Sequence, residues 1–480
     1  MNKIKEKLTL ENILCLFLIL SPIFDISSFV FRNYFNTTFS ISTFIRPIIP
    51  MCILLYILIK SNKKERLIWI GIGLVYIIYG ACHLLVTRKM LTGASYGDLK
   101  KELQYVFNFT FLIIYLIMYV WSFYIRKDKN TNTLKLKKSI TIMTFIYVVS
   151  IFITIIFKVS SYTYIETKTG YKGFIESGNS LSAILLLSMF IMFTLINTKE
   201  ISKGFKIFDI VTIIITGIYL LTTIGTRTGL FGTFLVAGLY IILEIFFSKN
   251  KKIIACGIVL IIVGGIFVGF KGSSTIKRRQ QMKESQYTII DEKTGEVGNM
   301  TGDMLRIKNK ILDGTLEQGY MSEAQQKATM ELYDYAVKHN LAGNDTRTQQ
   351  LMYNIYLVKN QKSGFGILFG NGYESNYREM VMENELASML LNFGIIGFIL
   401  YVCPILAILI YSVYKGFKNI KKVNVSYIMC QSALALALIL SWMSGYVLFA
   451  TSSMAVIVVI STILLKDVDE KCNVIDFEKA

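Results

Sequence analysis

The sequence predicts an all-α, polytopic helical membrane protein with about twelve transmembrane helices. Hydrophobic residues make up 53% of the 480 residues, the mean hydropathy is +0.52, and 17% of the residues are charged. A soluble chain of this length would carry more charge and shorter apolar runs. Runs such as 140–157 and 253–270 are long enough as helices to cross about 30 Å of hydrocarbon. The polar stretch 271–384 contains no such run, so we expect it to form one large, mostly helical loop between spans nine and ten.

Twelve apolar segments carry this prediction. The first resembles a signal peptide, but it contains Pro22 and Asp25, lacks a small-residue cleavage site and precedes many further spans. We therefore interpret it as a retained first helix. The predicted spans are 12–30, 41–59, 67–86, 104–125, 140–157, 179–196, 208–224, 228–247, 253–270, 386–413, 425–442 and 447–465.

The distribution of basic residues predicts the topology. A net charge of +19 would suggest nucleic acid in a soluble protein. If the N-terminus lies in the cytoplasm, however, about half of the 51 Lys and Arg residues fall in cytoplasmic segments. This excess of basic residues on the cytoplasmic side is typical of membrane proteins. Topology and anionic lipid explain the charge without nucleic acid. We expect spans one to nine in 1–270, an extracytoplasmic loop in 271–384, and the last three spans with a short cytoplasmic tail in 385–480.

The cysteines and histidines indicate neither a disulfide framework nor a metal site. Six of the seven cysteines lie in predicted spans, and Cys472 lies in the tail. His83 and His339 are far apart in the sequence and have no partners at metal-ligand spacing. We therefore expect no metal and no cofactor.

Polar residues mark the outer ends of two early spans. Arg46, in span two, either snorkels to lipid phosphate or points into an outer-leaflet site. Lys172 and Asn179 belong to the run GYKGFIESGN, in which Gly173 and Gly178 permit close backbone approach. Asn179 opens span six, where a short polar side chain can cap free N–H groups. A helix cap with a snorkelling lysine is the simpler interpretation of this run.

Arg227 is the strongest single candidate for a binding residue. It is the one charge in roughly thirty residues that are otherwise apolar, small or hydroxyl-bearing, in the run YLLTTIGTRTGLFGTFL between spans seven and eight. Burying a guanidinium is costly, about 2.5–3.5 kcal/mol at a helix centre and less near the interface. A guanidinium fork beside a helix N-terminus suits a diphosphate. Anchoring at the membrane interface is the alternative.

The C-terminal edge of the long loop is the second candidate region. Gly370 and Gly372 allow a tight bend in the run SGFGILFGNGY. Glu383 and Glu385 then lie at the membrane entrance of span ten. A carboxylate at a partly dehydrated interface can serve as a base. Both residues can equally be ordinary acids favoured by the helix macrodipole.

Within the loop, the sequence predicts two helices. Ser322 with Gln325 resembles a capping box, and the helix that follows is expected to end near Gly343. A second helix is expected over 346–360. Several tyrosines of the loop, including Tyr353, either stack on sugars or pack under a small helical cap, and packing is the simpler interpretation.

Three of these runs, in this order, resemble the O-antigen ligase and Wzy-type polysaccharide polymerase family of bacterial envelope proteins. They are GFIESGN, GTRTG, and TRTQQLMYNIYLVKNQKSGFGILFGNGY followed by ENELASMLLNFGIIG. The positions that match the family pattern in the third run are Arg347, Gly370, Gly372, Asn384, Gly394 and Gly397. Ligases of the family typically have His-Asn where this chain has Glu383-Asn384, which favours the polymerase branch.

The resemblance implies a metal-independent, inverting glycosyl transfer on the outer face of the bacterial cytoplasmic membrane. The implied donor is a glycan on a polyprenyl diphosphate, and a hydroxyl of another lipid-linked repeat attacks it. The resemblance implies no cofactor and leaves room for a chain-length regulator and a flippase as partners. The implied catalytic residues are Arg227, Arg347 and Glu383, and the implied substrate-binding residues are Lys172, Asn179, Arg46, Gly370, Gly372 and Asn384.

Two alternatives to the polymerase remain from the sequence. A ligase would move finished glycan to another carrier. A flippase or secondary transporter would usually show internal repeats and polar residues near the midplane of the membrane. We find no repeat, and most spans carry no charge at mid-depth.

Overall fold

The computed structural model describes residues 9–37, 39–91, 99–126, 132–165, 167–247, 251–269, 272–284, 289–290, 297–298, 303–317, 321, 323–339, 346–359, 364–373 and 382–472. The helices before the long loop are α1 Leu10–Ile19, α2 Ser21–Tyr34, α3 Ile41–Lys60, α4 Lys63–Leu91, α5 Leu99–Val120, α6 Leu134–Ile156, α7 Gly178–Ile196, α8 Lys203–Ile218, α9 Arg227–Phe247 and α10 Lys251–Gly269. Helices α5 and α8 each continue into one π-helical turn, Trp121–Ile125 and Tyr219–Thr223.

The helices of the loop are α11 Ser274–Glu284, α12 Asp303–Leu312, α13 Glu323–Lys338, α14 Thr346–Lys359 and α15 Phe365–Phe369. The chain then continues as α16 Glu385–Asn392, α17 Gly394–Tyr401, α18 Cys403–Lys418, a 3₁₀ turn Ile420–Lys422, α19 Val425–Met443 and α20 Thr451–Cys472. Two antiparallel pairs of short strands accompany them, β1 Ser161–Tyr164 with β2 Thr169–Gly173 and β3 Ile289–Ile290 with β4 Val297–Gly298.

The apolar helices confirm a multi-pass, predominantly helical membrane architecture. In the described part of the chain, nine helices are long and apolar enough to cross a membrane, or eleven if each of two bent pairs is one span. Helix α10 adds a shorter apolar stretch, Gly257–Val268. The number of about twelve spans and the side of the membrane on which the loop lies stay predictions.

Proline accounts for the two bent spans. Helices α1 and α2 meet at 45°, and Pro22 lies in the first turn of α2. Helices α17 and α18 meet at 50°, and Pro404 lies in the first turn of α18. Proline has no backbone N–H and clashes with the preceding turn, so a helix bends or breaks there, whereas α3 keeps Pro47 and Pro50 inside a continuous helix.

Helix α7 lies at the centre of the bundle. Within its apolar window 89% of the residues are buried, and 83% are buried in that of α20. Helices that are apolar on every side belong in such a position. Helices α3 and α4 bury only 22% and 17% of theirs, and their exposed apolar side chains suit contact with lipid.

The loop has a small core of its own. Ile307, Met321, Leu332 and Tyr353 are buried together between α12, α13 and α14. Helices α13 and α14 lie where the two helices were predicted, while the predicted Ser322 cap and the predicted end at Gly343 lie outside the described residues; Tyr353 packs in this core. The division of the chain at 270 and 384 stays a prediction. The loop packs on one end of the helix bundle, and we call this end of the bundle the 'loop end'.

The sequence did not predict the β1–β2 hairpin, which covers part of the loop end. Gly170, with φ +68°, lies so close to the turn after α8 that a Cβ would approach the Ile224 carbonyl oxygen to 2.3 Å. A glycine is required here by both the backbone conformation and the contact.

Candidate functional site

Three of the predicted site residues, Asn179, Arg347 and Glu383, meet at the loop end around residues 443–449, the connection from α19 to α20. We call it the 443–449 segment. Asn179 Nδ2 on α7 donates a hydrogen bond to the Ser444 carbonyl oxygen at 2.8 Å. Arg347 Nη1 on α14 donates to the Met443 carbonyl oxygen at 2.7 Å. Two residues that are 168 positions apart in the sequence are thereby fixed to adjacent carbonyl groups.

Asn179 is not the helix cap that the sequence indicated. Helix α7 begins at Gly178, so Asn179 already lies in its first turn, and the side chain of Ser177 caps the helix by accepting from the Ser180 N–H at 3.3 Å. The Asn179 amide is thereby left for the 443–449 segment.

Arg347 and Glu383 form an ion pair. Arg347 Nε and Glu383 Oε2 are 2.9 Å apart, and the side chains are 39% and 40% exposed. One helical turn further along α14, Gln350 Oε1 accepts the backbone N–H of Glu383 at 3.2 Å. One face of α14 therefore holds both the backbone and the side chain of Glu383. An ion pair this exposed contributes only about 0–1 kcal/mol, so another anion can readily displace it.

Glu385 differs from Glu383 in its surroundings. It is fully buried. Its Oε1 accepts the N–H groups of Val447 at 2.6 Å and Phe449 at 3.0 Å, and its Oε2 accepts that of Leu448 at 2.6 Å. Consecutive backbone N–H groups form a concave anion site, here filled by the protein's own carboxylate. Glu385 therefore holds the 443–449 segment in shape, and Glu383 is the carboxylate with an exposed surface.

The 443–449 segment turns through two left-handed residues. Gly445 has φ +66°, and a Cβ there would lie 2.3 Å from the Glu383 carbonyl oxygen. Tyr446 follows with φ +59° and is 49% exposed. Burial raises the pKa of Tyr446, and the charges of Glu383 and Glu385 act in the same direction. Sequence reasoning did not single out this tyrosine, because its backbone conformation is not visible in the sequence.

Arg227 begins α9 at the same end. Thr226 Oγ1 accepts the Gly229 N–H at 3.0 Å and lies 2.6 Å from Ser182 Oγ, which ties the start of α9 to α7. Ser182 lies one helical turn after Asn179. The Arg227 side chain is exposed, and within the described ranges no hydrogen bond or ion pair joins it to another residue.

Further positive charge surrounds this turn. Thr275 Oγ1 donates to the Thr226 carbonyl oxygen at 3.2 Å, so the first turn of α11 rests on the start of α9. Arg278 on α11 stacks on the Tyr164 ring, with its guanidinium carbon 3.3 Å from the ring centre. The basic run 277–279 is therefore close to Arg227, and together these charges favour an anionic ligand.

Lys172 is tied within its own loop. Its Nζ donates to the Glu176 carbonyl oxygen, and the Glu176 carboxylate pairs with Arg32 at 2.8 Å. Burial lowers the pKa of Lys172, and the Glu176 charge opposes this. The ammonium group has three N–H donors, so the contact with one carbonyl leaves donors for a ligand.

Arg46 lies inside the bundle behind the 443–449 segment. Its Nη2 donates to Asp25 Oδ1 and to Ser452 Oγ, each at 2.7 Å, and its side chain is 15% exposed. The Tyr147 hydroxyl donates to the other oxygen of Asp25. Arg46 thus joins α2, α3 and the first turn of α20, in place of the lipid contact that the sequence left open.

Gly370 and Gly372 pack backbone against backbone. They have φ +89° and +78°, and a Cβ at Gly370 would lie 2.1 Å from the Asn392 carbonyl oxygen. The N–H of Gly372 donates to that same carbonyl at 2.9 Å. The glycines of this motif therefore bring the end of the loop against the junction of α16 and α17.

Asn384 immediately precedes α16. Its carbonyl oxygen accepts the Ser388 N–H at 2.8 Å, but its side chain does not cap the helix. The side-chain Oδ1 is buried and has no hydrogen-bond partner. An acceptor without a partner beside Glu383 is suited to a hydroxyl group of a ligand.

A buried pair of residues that the sequence analysis missed, His83 and Glu102, contacts the end of α15 beside the glycine motif. His83 Nε2 lies 2.9 Å from Glu102 Oε1, and both side chains are fully buried. His83 Nδ1 lies 2.6 Å from the Phe369 carbonyl oxygen, which can only accept, so Nδ1 carries a hydrogen. The two residues come from different helices, so no local signal could have paired them.

Among the residues with described positions, no three His, Cys, Asp or Glu side chains are grouped so that they could hold a metal ion. The chain was also compared with known proteins. The model of one protein family, described as O-antigen ligase like membrane protein, matches residues 6–471. No match was found among curated proteins.

Proposed function

The chain belongs to the family of O-antigen ligase like membrane proteins, and from this premise we propose that it polymerises oligosaccharide repeat units carried on a polyprenyl diphosphate. Membership makes it a multi-pass, glycosyl-transferring membrane protein that acts on lipid-linked glycans in envelope polysaccharide biosynthesis. The proposal adds the donor, the course of the reaction and the polymerase role. The observation that carries it is the half-exposed Arg347–Glu383 pair beside the 443–449 segment.

In the proposed reaction, a hydroxyl group of one lipid-linked repeat attacks the anomeric carbon of a second lipid-linked glycan. The new C–O bond forms on the face opposite the diphosphate, so the configuration inverts. The bond from the anomeric carbon to the diphosphate oxygen breaks, and polyprenyl diphosphate leaves with the electron pair. The hydroxyl proton passes to the Glu383 carboxylate.

The Arg347–Glu383 ion pair supports both halves of this step. A diphosphate carries more charge than a carboxylate and competes for the Arg347 guanidinium. Because the ion pair is half exposed, the exchange costs little. Donor binding then places a cation at the leaving group and releases Glu383 to accept a proton.

Arg227 supplies the second cation in the proposal. Its exposed guanidinium at the start of α9, beside the basic run 277–279, is suited to the diphosphate of the donor. Cations placed where charge develops in the transition state are worth about 10²–10³-fold in rate.

The carboxylate at position 383 favours a polymerase over a ligase. The ligases that this chain resembles typically have His-Asn where it has Glu383-Asn384. A carboxylate and an imidazole can both accept a proton, so the change keeps a base but alters the charge that faces the attacking sugar. We therefore assign the acceptor to another lipid-linked repeat.

The test is the size distribution of surface glycan and of lipid-linked intermediates in a strain that lacks the gene. The strain is complemented with wild type, Arg227→Ala, Glu383→Gln or Glu331→Gln. Glu331 forms an exposed ion pair with Lys327 on α13 at 3.7 Å, so Glu331→Gln is the matched control. We expect wild type and the control to restore long chains, and the two site variants to leave single repeats on the lipid.

The other outcomes separate the alternatives. Chains of normal length that stay on the lipid carrier would make the protein a ligase. Long polymer from Arg227→Ala at normal protein levels would contradict the assignment of that residue. An unchanged glycan in the deletion strain would contradict both enzyme readings, and transport of lipid-linked repeats into liposomes would then be the assay to run.

A further inference from the structure

Tyr446 has a backbone conformation that its residue type does not favour. Its φ of +59° lies in the left-handed region, where a Cβ meets the following carbonyl oxygen, so the conformation is costly for residues other than Gly, Asn and Asp. The preceding Gly445 has a steric reason to be glycine, because a Cβ would collide with the Glu383 carbonyl. Steric fit of the backbone does not explain why a large aromatic residue follows it.

The surrounding contacts impose this conformation. The two carbonyl groups before Gly445 accept hydrogen bonds from Arg347 and Asn179. The three N–H groups after Tyr446 all donate to the buried Glu385 carboxylate. Strained residues persist where neighbours over-determine them, and such residues cluster at binding and catalytic sites.

The Tyr446 ring is free to meet a ligand. It is 49% exposed, and no ring contact and no hydrogen bond of its hydroxyl group to another residue occurs in the described part of the chain. Tyr373 in the same region shows the contrast. It is buried, stacks on Tyr105 at 4.8 Å and accepts a hydrogen bond from Ser388 at 2.9 Å.

We propose that Tyr446 is the platform on which the acceptor sugar lies, so that its attacking hydroxyl group points at Glu383. This inference rests on the proposed function and adds the residue that recognises the acceptor. An aromatic face offers a flat apolar surface to the C–H face of a pyranose ring. The Glu383 backbone carbonyl lies against Gly445, the residue before Tyr446, and the Glu383 charge acts on the Tyr446 hydroxyl group, so a sugar on the ring lies near the carboxylate.

The test separates the ring from the backbone. Tyr446→Asn removes the ring but suits left-handed backbone, and Tyr446→Phe keeps the ring but loses the hydroxyl group. The probe is the repeat-unit oligosaccharide released from the cell's own glycan, without lipid. Its binding is measured on purified wild-type protein, the parent, and on the variants, without any donor, so that no transfer can occur. The control is Tyr335→Ala, because Tyr335 is a comparably exposed loop tyrosine at 52%.

We expect Tyr446→Asn to unfold at the same temperature as its parent or higher, and to bind the oligosaccharide about five- to tenfold more weakly. Tyr446→Phe and Tyr335→Ala should bind within about twofold of the parent. Binding by Tyr446→Asn equal to the parent would overturn the inference. Equal losses in the Phe and Asn variants would assign the effect to the hydroxyl group and would also overturn it.

The outcome is distinguishable from failure of the proposed function. If the deletion strain makes normal glycan but the oligosaccharide binds through Tyr446, the proposed polymerase fails and the sugar site stands. If polymer is lost with Glu383→Gln but Tyr446→Asn keeps the acceptor KM of wild type, the polymerase stands and the platform fails.

Discussion

The Glu385 carboxylate accepts the backbone N–H of Val447 at 2.6 Å, although the two residues are 62 positions apart in the chain. This bond and its two neighbours attach the start of α16 to the 443–449 segment. Carbonyl groups of the same segment accept hydrogen bonds from Asn179 and Arg347. The candidate site is thereby assembled around a buried anion that the protein itself supplies.

The first prediction concerns this anion. In Glu385→Gln, one carboxylate oxygen becomes an N–H₂ group that faces a backbone N–H, so at least one buried donor loses its acceptor. We expect a loss of about 1–3 kcal/mol of stability, measured as a lower thermal midpoint in detergent. Glu331→Gln on the exposed face of α13 should change stability by less than about 0.5 kcal/mol. Equal midpoints for the two variants would refute the structural role of Glu385.

The second prediction separates catalysis from stability at Arg347. Because the pair with Glu383 is half exposed but the hydrogen bond to the Met443 carbonyl is lost as well, Arg347→Ala should lower stability by about 1–2 kcal/mol. The same change should lower the rate of polymer formation from lipid-linked repeats by about 10²-fold or more, because a cation is lost at the leaving group. Arg347→Lys keeps the charge but not the fork, and we expect an intermediate rate. A full rate in Arg347→Ala would remove this residue from the mechanism.

The third prediction concerns the glycine motif. Gly370→Ala adds a Cβ 2.1 Å from the Asn392 carbonyl oxygen at φ +89°, so we expect a loss of more than about 3 kcal/mol and poor expression of folded protein. Gly238 on α9 is the control, because a Cβ there meets nothing within 4 Å. Gly238→Ala should be neutral or stabilising by up to about 1 kcal/mol. Normal folding of Gly370→Ala would show that the close packing is not required.

The fourth prediction concerns pH. The pKa of Lys172 is lowered in the folded protein, so at alkaline pH the unfolded chain holds the proton more tightly than the folded one. Charged Lys172 therefore lowers the stability of the folded protein at pH values below its lowered pKa. This loss of stability disappears as the pH rises past the ordinary pKa of 10.5. In Lys172→Met this dependence is absent. From pH 7.5 to pH 10, the thermal midpoint of wild type should rise relative to that of the variant. A constant difference between the two midpoints would contradict the prediction.

The fold class was predictable because long apolar runs are local features of the sequence. Helices α13 and α14 were predictable for the same reason, since the residues that favour them are consecutive in the sequence. The β1–β2 hairpin was missed because its strands are short and Gly170 packs against Ile224, far along the chain. The bends after α1 and α17 were not predicted, because each depends on one proline within an apolar run that otherwise looks continuous.

Motifs and sequence position nominated Arg347, Asn179 and Glu383 as candidates but not their arrangement. The structure brings these three residues to one segment, and their functional roles stay a prediction. Glu383 and Glu385 are two residues apart and look alike in sequence. Only tertiary contacts send one to the surface and the other into a backbone anion site. Arg46 lies 21 residues from Asp25 on a separate helix, so its charge looked unpaired.

The bonds from Glu385 to residues 447–449 also predict which positions tolerate substitution. The carboxylate contacts backbone amides, which are the same for every residue type except proline. These bonds exclude only proline at positions 447 to 449, and packing sets the rest, because Val447 and Leu448 are fully buried and the Phe449 ring lies 4.5 Å from that of Phe109. Position 385 has no such freedom, since aspartate is one methylene shorter and glutamine carries no charge. A library randomised at these four codons would return glutamate at position 385 and apolar residues close in volume to the native ones at the other three.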